Sequence, residues 1–212
     1  MIRSRRHAAI PFKLLSVLLR YPDRLLVDAH DELAAAVEAL PRSPQRVALH
    51  RFLSYLDANA SRELERQYVE TFDMRRRASL YLSYYVHGDT RKRGMALLRL
   101  KRIYAAAGLE LTSGELPDYL PLVLEFASLA PADAGETLLR EYRPSLELLR
   151  ASLREIDSPY ADLLDALCAG LPRLSALERE HVRRLGEDGP PSEQVGLQPF
   201  APPEVMPSEA RI

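Results

Sequence analysis

The sequence predicts an all-α fold, a single globular multi-helix bundle of about eight or nine helices. Three observations predict it. Apolar residues recur with a helical period in nearly every segment from residue 10 to residue 184. Serine, aspartate, proline and glycine stand where such helices would start and stop. Nine glycines in 212 residues are few for a fold built on tight β-turns, and the single strand-like run has no partner strand.

Ile10, Leu14, Val17, Leu18 and Tyr21 follow i, i+4, i+7, i+8 and i+11, so they share one face of a first helix closed by Pro22. A second helix fits Asp23 to Leu40, before Pro41. Ser43-Pro44 reads as an N-cap followed by proline at the first helical position, opening a third helix with Val47, Phe52, Leu53 and Leu56. Leu64, Tyr68 and Phe72 mark a fourth. Ser79 to Val86 alternates partly like a strand; lacking a partner, it reads as a short helix or buried connector. Asp89 caps the next helix, which buries Leu97, Leu100, Ile103, Tyr104 and Ala107 and stops at Gly108. Pro117 starts another, with Leu116, Leu120, Val123, Leu124 and Ala127 on one stripe. Asp133 with Glu136 has capping-box spacing and opens a helix toward Arg150. Ser158-Pro159 opens the last helical stretch, toward Arg184, interrupted at Gly170-Leu171-Pro172. The expected organisation is a basic arm over 1–7, a helical domain over 8–185 and a disordered tail over 186–212, which holds six of the 16 prolines.

Composition narrows the function. Lys and Arg total 29 against 30 Asp and Glu, a net charge of −1, which argues against a nucleic-acid binder. Cys168 is the single cysteine, so neither an intrachain disulfide nor a Cys-based zinc site can form. Its apolar surroundings make it an inert buried thiol. The five histidines, at 7, 30, 50, 87 and 181, never pair at metal-ligand spacing. Phosphate-loop, dinucleotide and nucleophile-elbow motifs are missing. The longest run without a charged residue, Ala78 to Gly88, falls short of the roughly 20 residues a bilayer span needs. Ser4-Arg5-Arg6 carries paired arginines, but no long apolar core or cleavage site follows, so a cytoplasmic protein without an export signal is expected.

Two features rise above this background. Seven residues turn a helix through 700°, so on a continuous helix Asp118 and Glu125 would point the same way, about 10.5 Å apart. With Tyr119, Leu122 and Phe126 beside them, such carboxylates suit a cationic, partly apolar peptide; the plainer alternative is a solvated outer face. The second feature is charge segregation. Residues 75–102 hold nine basic side chains against Asp89 alone, and residues 103–142 hold seven acidic ones against Arg140 alone. Such asymmetry is expected of a docking surface, with Arg91, Lys92 and Arg93 as candidate contacts to an acidic patch or to phosphate.

Several blocks then occur in a telling order: Leu14-Leu15-Ser16-Val17-Leu18-Leu19-Arg20-Tyr21-Pro22-Asp23, Tyr68-Val69-Glu70-Thr71-Phe72-Asp73, Ser79-Leu80-Tyr81-Leu82, Gly88-Asp89 with Arg93-Gly94, Glu115-Leu116-Pro117-Asp118-Tyr119-Leu120-Pro121-Leu122 and Leu124-Glu125-Phe126. Over roughly residues 10–170 this set resembles the NarJ family of respiratory nitrate reductase assembly chaperones. The wider redox-enzyme maturation group, with TorD and DmsD, has histidine where Tyr119 stands here, which points to the NarJ branch. The resemblance implies an all-helical chaperone with no catalysis and no permanently bound cofactor. It implies a protein that binds the N-terminal segment of the apo nitrate reductase α subunit in the cytoplasm. There the client stays competent for molybdenum cofactor insertion and iron–sulfur cluster maturation before it docks on its membrane anchor. Cofactor-delivery proteins are candidate further partners. The carried-over client-binding residues are Tyr68, Phe72, Tyr81, Asp118, Tyr119, Glu125 and Phe126. They are expected to line an apolar groove between the helix of Tyr68 and Phe72 and the helix of Asp118 and Glu125. The alternatives are a chaperone for another molybdoenzyme, an all-α enzyme or a nucleic-acid binder.

Overall fold

Twelve α-helices and no strand occur among the residues that a computed structural model of the chain describes, 6–112, 114–131 and 133–191. The helices are α1 (Arg6–Leu18), α2 (Arg24–Asp28), α3 (His30–Glu38), α4 (Pro44–Ala58), α5 (Ser61–Tyr68), α6 (Leu82–His87), α7 (Arg91–Ala106), α8 (Leu120–Leu129), α9 (Ala134–Glu141), α10 (Arg143–Glu155), α11 (Ala161–Gly170) and α12 (Ala176–Asp188). The arm expected over 1–7 lies mostly, and the tail beyond Pro191 wholly, outside the described residues.

The all-α expectation holds, and the count exceeds eight or nine because expected helices are divided. The stretch from Asp23 to Leu40 breaks at Ala29, whose N–H bonds back to the carbonyls of Leu25 and Val27. The stretch from Asp133 to Arg150 breaks at Tyr142, where Pro144 two residues on has no N–H to continue the ladder. Ser43 caps α4 as expected, its Oγ accepting from the Arg46 N–H at 3.2 Å. α7 starts one residue later than expected, with Thr90 and not Asp89 at the cap. A π-helical turn over Val69–Asp73, which the apolar spacing did not indicate, extends α5.

The largest departure lies before α8, which begins at Leu120 and not at Pro117. The Leu82 N–H donates to the Asp118 carbonyl at 3.0 Å, and the Leu120 N–H donates to the Leu80 carbonyl at 2.8 Å. These bonds make a single antiparallel bridge between Tyr81 and Tyr119. The pairing holds Tyr119 extended, with ψ of 120°, and delays the first helical turn.

α1 lies along α8, α4 along α11, and α10 touches α6, α9, α11 and α12. Leu15, Leu18 and Leu19 from the α1 segment, Leu120, Val123 and Leu124 from α8 and Leu163, Leu164 and Leu167 from α11 are buried in one core. Two buried hydroxyls are satisfied by backbone: Ser16 Oγ donates to the Pro121 carbonyl at 2.7 Å, and Ser145 Oγ donates to the Leu82 carbonyl at 2.8 Å. Gly135 brings α9 against α8 so closely that a Cβ there would stand 2.3 Å from the Ala127 Cα. Because the obstacle is backbone, Gly135→Ala is expected to cost about 1–3 kcal/mol of stability, read as a lower urea midpoint at unchanged slope.

Candidate functional site

A cavity of about 740 Å³ opens between the segment after α1, the loop following α7 and the length of α8. Tyr104 and Phe126 form part of its wall, with ring centroids 4.6 Å apart. Tyr104 is held by its hydroxyl, which donates to the Pro117 carbonyl at 2.6 Å. Tyr21, Tyr119, Leu122 and Leu129 add apolar wall, and Leu129 is 60% exposed. The polar lining is acidic: Asp23, Glu110, Glu115 and Glu125 face it, with Arg20 the one cationic lining residue. Burial and nearby carboxylates act on the two tyrosines at its edge. Desolvation and then nearby Glu65 and Asp73 raise the Tyr21 hydroxyl above its ordinary pKa. Burial, with Glu115 contributing, does the same at Tyr119.

Glu125 already holds cations. Lys13 Nζ pairs with Oε1, and Arg20 Nη2 donates to Oε2 at 2.9 Å. The hydrogen bond from Lys13, followed by the charges of Lys13 and Arg20, holds the Glu125 carboxyl below the usual carboxylate range. A folded-state pKa depressed in this way contributes stability above the ordinary carboxylate range, and that contribution is lost as pH falls through the depressed value.

The seven candidate contacts do not share one groove. Tyr119, Glu125 and Phe126 line the cavity. Tyr81 stands behind it, its ring 5.6 Å from that of Tyr119 and its hydroxyl donating to Glu115 at 2.9 Å. Tyr68 and Phe72 are buried in an aromatic cluster, with ring centroids 5.8 and 4.8 Å from Tyr160. Tyr68 meets Tyr119 hydroxyl to hydroxyl at 3.1 Å, so the groove expected between their helices is filled by direct packing.

Asp118 requires the main correction. It precedes α8, so the 700° argument does not apply to it, and it is fully buried. Its Oδ2 accepts from the Ser83 N–H at 3.1 Å and from Ser83 Oγ at 2.5 Å, with Arg93 Nη2 at 3.7 Å. Backbone and side chain of Asp118 together therefore cap the first turn of α6, because its carbonyl takes the Leu82 N–H. The three consecutive cations also part company. Arg93 lies inward, its guanidinium 5.8 Å from the Tyr81 ring and 5.9 Å from the Tyr84 ring, whereas Lys92 faces another cavity beside His87. The adjoining Arg91 is exposed. Tyr21, Arg20 and Glu110 line the cavity and Lys13 holds Glu125, and none of these four stood among the seven candidate contacts. The sequence marks Tyr21 as the aromatic residue before Pro22, and the structure leaves it 43% exposed. Cys168 is buried as expected, and burial pushes its thiol up to about 12.

This fold and site define an all-helical protein with an acidic, aromatic cleft. Among the described residues no group of three or more His, Cys, Asp or Glu side chains is placed to hold a metal ion. Among the same residues, no helix is long and apolar enough to cross a membrane. Comparison with known proteins gives the kinship. The sequence pattern of the family described as nitrate reductase delta subunit matches residues 29–166. The chain belongs to that family. It is 35% identical over 169 residues to the probable nitrate reductase molybdenum cofactor assembly chaperone NarJ of Bacillus subtilis strain 168, covering 80% of this chain and 92% of the relative. It is 39% identical over 160 residues to the nitrate reductase molybdenum cofactor assembly chaperone NarJ of Escherichia coli K12, covering 74% and 68% respectively. A third match, to the nitrate reductase-like protein NarX of Mycobacterium tuberculosis H37Rv, is 37% identical over 159 residues, which is 75% of this chain and 24% of that protein.

Proposed function

We infer that this chain is a cytoplasmic assembly chaperone for a respiratory nitrate reductase, without catalysis or a permanent cofactor of its own. It binds the apo α subunit through that subunit's N-terminal segment. It keeps the client competent for molybdenum cofactor insertion and iron–sulfur cluster maturation before membrane docking. The names of the B. subtilis and E. coli relatives support the system, and the acidic-aromatic cavity supports the mode of binding.

The observation that carries the reading is Glu125, which sits in an aromatic-walled cavity and already accepts a lysine and an arginine. A client helix that buries an apolar stripe against Tyr119, Leu122 and Phe126 can present its own Lys or Arg to the same carboxylate. Each large apolar side chain buried contributes about 1.5–3 kcal/mol before ordering costs. Three or four of them reach micromolar affinity, about −8 kcal/mol, and leave release accessible. Tyr119, Glu125 and Phe126 contact the client in this scheme, while Tyr68, Phe72, Tyr81 and Asp118 hold the wall in place.

The test is calorimetric titration of the whole protein with a peptide copying the N-terminal segment of the nitrate reductase α subunit from the same genome. Saturable binding with a negative heat-capacity change is the expected result. No heat, with the protein shown to be folded by circular dichroism, would move the client to another molybdoenzyme.

A further inference from the structure

The geometry points to a second docking surface, along α7 where it faces the α9–α10 junction, that takes an acidic amphipathic helix of a partner protein. α7 runs for 16 residues, yet only Leu100 and Tyr104 of it are buried, and α12 has no buried residue. Beside α7 lies a cavity of about 730 Å³, walled by His87 of α6 and by Glu141, Tyr142 and Pro144 at the α9–α10 junction, with His181 reaching it from α12. It shares no lining residue with the cavity that holds Glu125.

The chemistry of this surface is the reverse of the first. Lys92, Arg99 and Arg102 line it against Glu141 as the one carboxylate. Arg99 is paired with Glu141, Nη2 donating to Oε2 at 2.9 Å. Among the described residues, Lys92 and Arg102 have no acidic partner. Apolar side chains stand among the cations: Met95 is 68% and Leu98 43% exposed. Residues 92, 95, 99 and 102 follow i, i+3, i+7 and i+10, so charge and apolar surface share one face of α7. An occupant that satisfies both carries carboxylates beside an apolar stripe, which an amphipathic helix presents on one face. A polyphosphate or RNA would use the cations and leave Met95 and Leu98 idle. Tyr142, the one ring of Phe, Tyr or Trp type in the lining, is only 5% exposed and offers little face for base stacking.

The test uses the full chain and a fluorescein-labelled designed peptide of roughly 18 residues, five helical turns, with a leucine stripe flanked by glutamates. Fluorescence anisotropy is expected to saturate with this peptide, and to need roughly tenfold more protein with a scrambled peptide of the same composition. Lys92→Glu with Arg102→Glu, and separately Met95→Asp, are each expected to weaken binding roughly tenfold. All three positions are exposed, and unchanged titration by the α-subunit peptide at the other cavity checks that the variants remain folded. Unchanged peptide affinity in these variants would overturn the assignment. So would tighter binding of single-stranded RNA or polyphosphate that is lost in the same charge variants. A rise in peptide affinity on truncation after Pro191 would give the surface to the chain's own residues 192–212. Dimerisation abolished by Met95→Asp in sedimentation would give it to a second copy. Either result also overturns the proposal.

Discussion

Asp118→Ala is expected to lower stability by about 3 kcal/mol or more, because each of two hydrogen bonds to a charged acceptor contributes about 1.5–3 kcal/mol. In a domain of this size that is a fall of roughly 6–12 °C in Tm. Asp118 is fully buried, and its Oδ2 takes both the Ser83 N–H and the Ser83 hydroxyl. Alanine leaves that N–H without its acceptor at the start of α6, in a place water does not reach. Asp118→Asn keeps an acceptor oxygen and is expected to cost less, about 1 kcal/mol. Its affinity for the α-subunit peptide is expected to stay within about twofold of the parent, since a change below 0.4 kcal/mol is what a residue away from the contact gives. An Asn variant with an unchanged unfolding midpoint and a tenfold weaker peptide would instead put Asp118 in contact with the client.

Glu125 should behave the other way round. Glu125→Gln is expected to weaken the α-subunit peptide by roughly 10–100-fold, the equivalent of one charge-assisted hydrogen bond. Its unfolding midpoint should hardly move, because its partners Lys13 and Arg20 have side chains 49% and 50% exposed. Arg20→Gln combined with Lys13→Gln is expected to tighten the peptide roughly two- to fivefold, since the client no longer competes with the chain's own cations. Calorimetry at two salt concentrations measures both. If the double Gln variant binds more weakly than the parent, Lys13 and Arg20 contribute to the client contact and do not compete with it.

Most of the helical architecture was legible because amphipathic periodicity and caps are local signals. The Ser43-Pro44 start and the Gly108 stop, with φ of 75°, occur where the sequence places them. What was not legible depends on partners distant in sequence. The start of α8 is set by backbone bonds from residues 80–82, and no spacing within 115–126 reveals them. The same pairing buries Asp118, so two carboxylates that a continuous helix would align serve different ends. Tyr68 and Phe72 followed a helical period, which reports burial and cannot distinguish an aromatic core from a binding wall. The acidic character of 103–142 was legible, and it reappears as the carboxylate lining of the cavity.

The long reach of the contacts between α1 and α8 has a consequence for when this protein becomes competent. Lys13 and Glu125 are 112 positions apart, and Arg20 and Glu125 are 105 apart. During synthesis the leucine stripe of α1 emerges first and has no α8 to cover it until well over half of the chain is made. At about 5–20 residues per second, that interval lasts several seconds. Contacts of such sequence separation close late, after local helices have formed. The cleft that holds Glu125 therefore cannot exist before α8 has been made. A nascent chain that has not yet reached residue 129 lacks the wall that Phe126 and Leu129 supply.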